Sequence, residues 1–110
     1  MIFQTHAAEL ARRLRYAHPP LRVLDVRDRA LYEAGHLPSA IHVPAPGPRE
    51  LPHGAGTEYV VVGEEPGEPA VRAASLALQR LGARRIVELS GGMAEWRRVT
   101  ATSGTTSASR

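Results

Sequence analysis

The chain has 110 residues, a length typical of a single domain, and it contains no cysteine. The absence of cysteine excludes disulfides, zinc–thiolate sites and catalysis by a thiol. All 14 basic side chains are arginine and the formal net charge is only +3, so we expect no nucleic-acid partner. No apolar run approaches the roughly 18 residues of a membrane span, and the chain does not open on a charged region followed by an apolar run. We therefore expect a cytoplasmic protein without a membrane partner.

The first predicted elements are a short edge strand and a helix. Residues 2–3 are suited to the strand, and residues 5–17 have the apolar spacing of the helix. Thr5 is the predicted cap of this helix, and the Pro19-Pro20 pair ends it. Its predicted apolar face comprises Ala7, Leu10, Ala11 and Leu14.

A strand, a short helix and another strand follow. Residues 21–26 are apolar and β-branched enough for a buried strand. Asp28 is the predicted cap of a short helix that Gly35 closes, and Ile41 and Val43 belong to the next strand.

Residues 44–57 interrupt this alternation. The segment contains four prolines and three glycines, a composition that cannot form a helix. We predict a surface loop here.

The second half of the chain returns to strands and helices. Residues 59–62 predict a central buried strand, and a helix begins at Pro69 and ends at Gly82. Residues 86–89 predict another strand and residues 93–98 a last short helix, whereas the Ser/Thr-rich residues 99–110 predict a disordered tail. The apolar stripe of the longer helix comprises Val71, Ala74, Leu78 and Leu81. Strands that alternate with helices predict an α/β fold with a parallel sheet.

Two segments resemble the signatures of a known family. Residues 24–44 read Leu-Asp-Val-Arg-Asp-Arg-Ala-Leu-Tyr-Glu-Ala-Gly-His-Leu-Pro-Ser-Ala-Ile-His-Val-Pro, and residues 89–96 read Leu-Ser-Gly-Gly-Met-Ala-Glu-Trp. Both resemble the rhodanese-like sulfurtransferase domains. The resemblance implies one domain over residues 1–98, with a central parallel sheet of about five strands and helices on both faces. It also implies a helix within residues 44–57, so the predicted loop would leave one sheet face less covered.

The resemblance places the family's catalytic cysteine in the loop after the central strand. Counting from the strand puts Gly63 at that position, and counting back from the following helix puts Glu64 there. Neither residue can carry a persulfide, so we do not expect sulfur transfer. The former active-site loop comprises Gly63, Glu64, Glu65, Pro66, Gly67 and Glu68.

The loop's three carboxylates reverse the charge of the site that the family uses for anions. We therefore expect no small anion to bind there. One hypothesis is that a glutamate side chain folds into its own loop and caps the next helix; the alternative is that all three glutamates face solvent. Asp25 and Arg27 match the family's Asp-Val-Arg and would lie near the loop. We expect a structural role for Asp25, and Arg27 is predicted to pair with Glu64 or Glu65.

Other chemistry has less support in the sequence. His36 and His42 lack neighbours at a metal-ligand spacing, so we predict no metal site and no cofactor. No serine sits on a nucleophile elbow. The Gly91-Gly92 pair is interpreted as a tight turn that lets Trp96 pack on the body.

The combined features favour a catalytically inactive domain that acts as a binding or regulatory module. Its predicted contact surfaces are the loop 63–68 and the segment 44–57, with a protein as the partner. Three alternatives remain open: an enzyme that uses Glu64 or Glu65 as acid or base, a residual role in sulfur metabolism, and a degenerate relative kept for its fold in an oligomer.

Overall fold

The computed structural model describes residues 2–16, 21–44 and 47–102. These residues form strands and helices that alternate along most of the chain. In chain order the elements are β1 (Ile2–Thr5), α1 (Ala7–Tyr16), β2 (Leu21–Asp25), α2 (Arg29–Ala34), β3 (Ile41–His42), β4 (Glu58–Val62), α3 (Pro69–Arg80), β5 (Arg85–Leu89) and α4 (Gly92–Thr102).

The strands form one parallel sheet in the order β1-β5-β4-β2-β3. β4 lies at the centre and is buried along its whole length, as expected for a strand that is covered on both faces. Its side chains alternate, so Val60 and Val62 pack on one face and Tyr59 and Val61 pack on the other. The predicted α/β fold with a five-stranded parallel sheet and helices on both faces is confirmed.

Each face of the sheet has its own apolar cluster. One cluster includes residues of α1 and α4 and is called the α1–α4 cluster. The other includes residues of α3 and is called the α3-side cluster. The first comprises Ala7, Leu10, Val23, Leu37, Ala40, Val60, Val62, Val87, Leu89 and Met93. The second comprises Leu24, Val26, Tyr59, Val61, Val71, Ala74, Leu78, Ala83 and Ile86.

The start of α1 differs from the prediction. Thr5 does not cap this helix, because Thr5 is the last residue of β1 and its carbonyl accepts a hydrogen bond from the Ser90 N–H at 2.9 Å. The N–H of Ala7 instead donates to Glu95 Oε1 at 3.3 Å, so a side chain from α4 satisfies the first turn. The predicted end of this helix at Pro19-Pro20 lies outside the described residues.

The segment after β3 is a loop, as predicted, and residues 47–57 contain no helix. It nevertheless covers the sheet face that we expected to be less protected, because Leu51 packs against the α3-side cluster. The Tyr59 hydroxyl also anchors it by donating to the Gly54 carbonyl and accepting from the His53 N–H, both at 2.9 Å.

Some helix details also differ from the sequence pattern. Asp28 occupies the cap position of α2 but makes no side-chain cap hydrogen bond. Leu81 lies just past the end of α3 and is 38% exposed, whereas Ser75, which the predicted apolar stripe did not include, is buried. α4 continues to Thr102, so the first residues of the predicted tail are helical, and residues 103–110 lie outside the described residues. Within the described part of the chain, no helix combines the length and apolar character that crossing a membrane requires.

Candidate functional site

The loop 63–68 joins β4 to α3 at the carboxyl edge of the sheet. Asp25 ends the neighbouring strand β2, and Asp25 and Val62 are partners in the strand register. Because the carboxyl ends of parallel strands meet at one edge, this arrangement brings the Asp25–Arg27 segment beside the loop.

Asp25 and Arg27 form a buried ion pair. Their side chains are 0% and 1% exposed, and Arg27 Nη2 lies 2.8 Å from Asp25 Oδ2. Arg27 Nε donates to Asp25 Oδ1 at 3.0 Å, and Arg27 Nη2 also donates to the Gly35 carbonyl at 2.7 Å. Burial opposes the charge of Arg27, but its hydrogen bonds to Asp25 and Glu64 outweigh that effect and raise its pKa. Arg27 is therefore a permanent cation whose donors are directed at fixed protein groups.

Glu64 places its carboxylate between two arginines. Its Oε1 accepts from Arg27 Nη1 at 3.0 Å, and its Oε2 accepts from Arg97 Nη1 at 2.6 Å. Arg97 Nη2 adds a third hydrogen bond, to Oε1 at 3.0 Å, which makes the Arg97 contact bidentate. Of the two partners left open for Arg27, the structure thus selects Glu64. The Arg97 contact had no signal in the sequence, since residue spacing does not give the angle at which α4 meets the loop.

Glu68 folds back across the loop. Its Oε1 accepts a hydrogen bond from the Glu64 N–H at 3.0 Å. It makes no side-chain hydrogen bond to the first turn of α3, so the capping part of the hypothesis is wrong. Glu65 is exposed, whereas Glu64 and Glu68 are partly buried, so the alternative of solvent-facing glutamates holds only for Glu65.

The start of α4 fixes the base of the loop from the other side. The N–H groups of Met93 and Ala94 donate to the carbonyls of Gly63 and Glu64, at 2.9 and 3.0 Å. Gly92 makes the tight turn before them with a φ of 65°, and Trp96 packs against the α1–α4 cluster. The predicted role of this turn therefore extends to holding the loop itself.

A side chain at position 63 has no room in this structure. A Cβ there would lie 2.6 Å from Val71 Cγ2 and 2.8 Å from Glu68 Oε1. The position that strand counting assigns to the family's cysteine is thus filled by a neighbouring aliphatic group and a loop carboxylate.

We expect the free energy of unfolding of the Gly63→Cys variant to be about 1–3 kcal/mol lower than that of wild type, because the new side chain overpacks the site. The matched control is Gly56→Cys, where a Cβ meets nothing within 4 Å. Urea unfolding of both variants measures the difference. Equal stability of the two variants would contradict the packing that we describe at Gly63.

The charge state of Glu64 follows from its partners. The hydrogen bond from Arg97 has the largest effect on the pKa of Glu64 and lowers it. Burial opposes this effect, but the contacts with Arg97 and Arg27 together keep the pKa of Glu64 below its ordinary value of 4.5. A carboxyl group whose pKa is lower in the folded state stabilises the fold above its unfolded pKa, and that stabilisation is lost as the pH falls through the folded pKa.

We therefore expect the unfolding free energy of wild type to fall more steeply than that of Glu64→Gln between about pH 5 and pH 3. Urea unfolding at several pH values measures both curves. Glu65→Gln, which neutralises an exposed carboxylate on the same loop, is expected to follow wild type. If the unfolding free energy of Glu64→Gln depended on pH as that of wild type does, the ion pairs at Glu64 would not contribute to the stability of the fold.

The two histidines of the first signature serve packing in this structure. The Tyr32 ring stacks against His36 at 4.0 Å and against His42 at 4.8 Å between centroids. His42 Nε2 also lies 2.7 Å from the Arg27 carbonyl oxygen. Among the described residues, no group of three or more histidines and carboxylates is arranged to hold a metal ion.

Comparison with known proteins agrees with this geometry. The family model described as Rhodanese-like domain matches residues 6–99. The solved BH2092 protein from Bacillus halodurans is 25% identical with a TM-score of 0.77, and the match covers 88% of this chain and 72% of that one. The rhodanese-like domain of the Alr3790 protein from Anabaena sp. is 25% identical with a TM-score of 0.72, covering 100% and 89%. Ygr203w from Saccharomyces cerevisiae, at 18% identity and a TM-score of 0.71 over 92% and 83%, shares the fold. No curated protein matches the chain significantly.

Proposed function

Because the chain belongs to the rhodanese-like domain family and contains no cysteine, we propose that it is a non-catalytic binding or regulatory module. The observation that carries this proposal is the Glu64 carboxylate between Arg27 and Arg97. It supplies from within the chain the negative charge that a bound anion would bring. A thiosulfate-like anion would have to displace a carboxylate held by three charge-assisted hydrogen bonds.

The shape of the loop supports a binding role. Its base is held by the α4 amides and by Glu64 and Glu68, whereas Glu65, Pro66 and Gly67 are exposed at its tip. A tip on a fixed base loses little conformational entropy when a partner binds. The exposed carboxylate of Glu65 favours a basic partner surface. The segment 47–57 is the second contact surface of this proposal.

An altered enzyme is less well supported. A general acid in this loop needs a carboxyl group with a raised pKa, but the arginines lower the pKa of Glu64. Glu65 is exposed at the tip of the loop and is therefore not enclosed in a cleft that could hold a substrate against it.

A thiosulfate:cyanide assay on the pure protein tests the non-catalytic part of the proposal. We expect no thiocyanate formation above a buffer blank. Sulfur transfer by the wild-type chain, lost on heat denaturation, would overturn this part of the proposal.

A capture experiment tests the binding part. The immobilised protein is exposed to nuclease-treated lysate from its own source, with Glu65→Arg probing the loop and Glu50→Arg probing the segment 47–57. Glu33→Arg, a matched charge reversal on the exposed face of α2, is the control. We expect a protein retained by wild type and by the control but lost from Glu65→Arg or Glu50→Arg. Retention that is equal on all four proteins, or absent from all, would contradict these contact surfaces.

A further inference from the structure

The strand β1 forms one edge of the sheet. Among the described residues, β5 is the single strand that pairs with it. Along a strand, the backbone N–H and C=O groups of successive residues point to opposite sides. The Thr5 carbonyl accepts the Ser90 N–H at 2.9 Å and therefore points toward β5. By this alternation the N–H and C=O groups of Ile2 and Gln4 point away from β5, where the described part of the chain supplies no strand.

An exposed aromatic side chain lies on this edge strand. Phe3 is 37% exposed, and its partner in the strand register is Val87, on the sheet face that carries the α1–α4 cluster. Proteins usually protect a free strand edge with charged side chains, proline or a bulge rather than with a large apolar group. An exposed aromatic ring beside free backbone groups is instead typical of a binding surface.

A cation lies over the same ring. Arg85 Cζ is 4.5 Å from the centroid of the Phe3 ring, a cation–π contact. Because Arg85 belongs to β5 and Phe3 to β1, this guanidinium reaches over the edge strand. The Arg85 side chain remains 53% exposed.

The charge of Arg85 is not neutralised within the described residues. Its Nε lies 3.3 Å from Glu58 Oε1, but Arg13 already donates to both oxygens of that carboxylate, at 2.7 and 2.9 Å. Two guanidinium groups thus share one carboxylate. An excess positive charge therefore remains beside the exposed ring of Phe3.

These features favour one kind of occupant. The outward N–H and C=O groups match another extended polypeptide backbone, which is how added strands bind sheet edges. The excess positive charge matches a carboxylate side chain on that segment. A second copy of this chain fits less well, because β1 contains no acidic residue and pairing of two such edges would bring two excess positive charges together.

We propose that the free edge of β1 binds an extended acidic segment of a partner protein as an added strand. The backbone of the segment bonds to that of Ile2 and Gln4, and one of its carboxylates binds Arg85 beside the Phe3 ring. This surface shares no residue with the loop 63–68 or the segment 47–57, so it does not depend on the function proposed for them.

The probe is a dye-labelled peptide of sequence Thr-Val-Glu-Val-Glu-Val-Thr, whose carboxylates share one face when it is extended. Its counterpart carries glutamine in place of both glutamates. We expect saturable binding of the acidic peptide by fluorescence anisotropy, with a Kd about tenfold lower than that of the glutamine peptide. Equal affinities, or no saturable binding of the acidic peptide, would overturn the proposal. Displacement of the acidic peptide by an equal concentration of oligothymidylate would also overturn it, because the surface would then bind anions of any kind.

Hydrogen exchange locates the added strand. We expect the acidic peptide to slow exchange at the Ile2 and Gln4 amides, which point outward, much more than at the Phe3 and Thr5 amides, which already face β5. Unchanged exchange at Ile2 and Gln4 in the saturated complex would show that the peptide binds elsewhere.

An arginine variant locates the carboxylate. Arg85→Gln is expected to raise the Kd of the acidic peptide about tenfold and to leave that of the glutamine peptide unchanged. Arg80→Gln is the matched control, because it removes the same charge from an exposed position at the end of α3, on the opposite face of the sheet from Phe3. We expect this control to bind as wild type does. Equal affinity of the two variants for the acidic peptide would contradict charge recognition by Arg85.

A proline variant tests the edge itself. Gln4→Pro removes an outward N–H without removing a hydrogen bond of the sheet, a position at which edge strands tolerate proline. Gln4→Ala is the matched control, since both variants lose the side-chain contact with Glu88. We expect peptide binding to be lost in Gln4→Pro and kept in Gln4→Ala, with circular dichroism showing that both are folded. If folded Gln4→Pro bound the peptide as Gln4→Ala does, the peptide would not add to β1. If proline prevented folding, the exchange measurement on wild type would decide the same point.

Discussion

The Asp25→Ala variant is expected to lose about 3–5 kcal/mol of unfolding free energy, the largest effect that we predict for a single substitution. Asp25 is fully buried and accepts hydrogen bonds from Arg27 Nε, Arg27 Nη2 and the Arg27 backbone N–H. Without this carboxylate, the Arg27 guanidinium would keep a single charged partner, Glu64, inside the protein. An under-compensated buried charge costs far more than a lost surface contact.

Urea unfolding monitored by circular dichroism measures this loss. Asp28→Ala is the matched control, because Asp28 lies three residues away, is exposed and makes no side-chain cap hydrogen bond. We expect the control to change stability by less than about 0.5 kcal/mol. Similar losses in the two variants would show that the Asp25–Arg27 pair does not stabilise the fold.

The fold was largely predictable because its sequence signals are local and agree with one another. The apolar run of β4 indicates a strand that is covered on both faces, and the structure buries all five of its residues. Pro69 begins α3 as predicted, since its fixed φ suits the first helical position. Boundaries that depend on distant residues were less predictable. Glu95, from another helix, accepts the hydrogen bond of the Ala7 N–H at the start of α1, and no local pattern around Thr5 indicates this contact.

The candidate site was predictable in part. The match to the family's Asp-Val-Arg placed Arg27 near the loop, and the structure brings the two together because strand ends meet at one edge in a parallel sheet. The direction of each glutamate depends instead on packing between elements. Arg97 reaches Glu64 because the α4 amides hold that helix against the loop, and Glu68 turns toward the Glu64 N–H rather than toward α3.

Two buried carboxylates were not predicted from the sequence. Glu58 pairs with Arg13 at the start of β4, and Glu88 pairs with Arg72 and lies 2.6 Å from Gln4 Nε2. A signal for Glu88 was present, because a glutamate within the apolar run Ile86–Leu89 needs a cationic partner if the strand is buried. Identifying that partner required the register of α3 on the sheet, which the sequence pattern does not contain.

The Gly92→Ala variant is expected to lose about 2–4 kcal/mol of unfolding free energy. A Cβ at this position would lie 2.6 Å from the Glu64 carbonyl oxygen and 2.8 Å from its carbonyl carbon. These atoms belong to backbone that cannot rotate away, since the same carbonyl accepts the Ala94 N–H at 3.0 Å. The φ of 65° adds the cost that any side chain meets in the left-handed region.

Gly82→Ala separates these two contributions. Gly82 has a φ of 98°, but a Cβ there meets nothing within 4 Å, so this variant carries backbone strain alone, about 1 kcal/mol. Urea unfolding gives the difference, and hydrogen exchange shows where it acts. We expect faster exchange at the Met93 and Ala94 amides in Gly92→Ala and not in Gly82→Ala, because only the first substitution pushes α4 away from the loop. If the two variants lost equal stability, the close approach of α4 to Glu64 would not hold the loop in place. The rigid base that the binding proposal requires would then have to come from the side-chain contacts of Glu64 and Glu68.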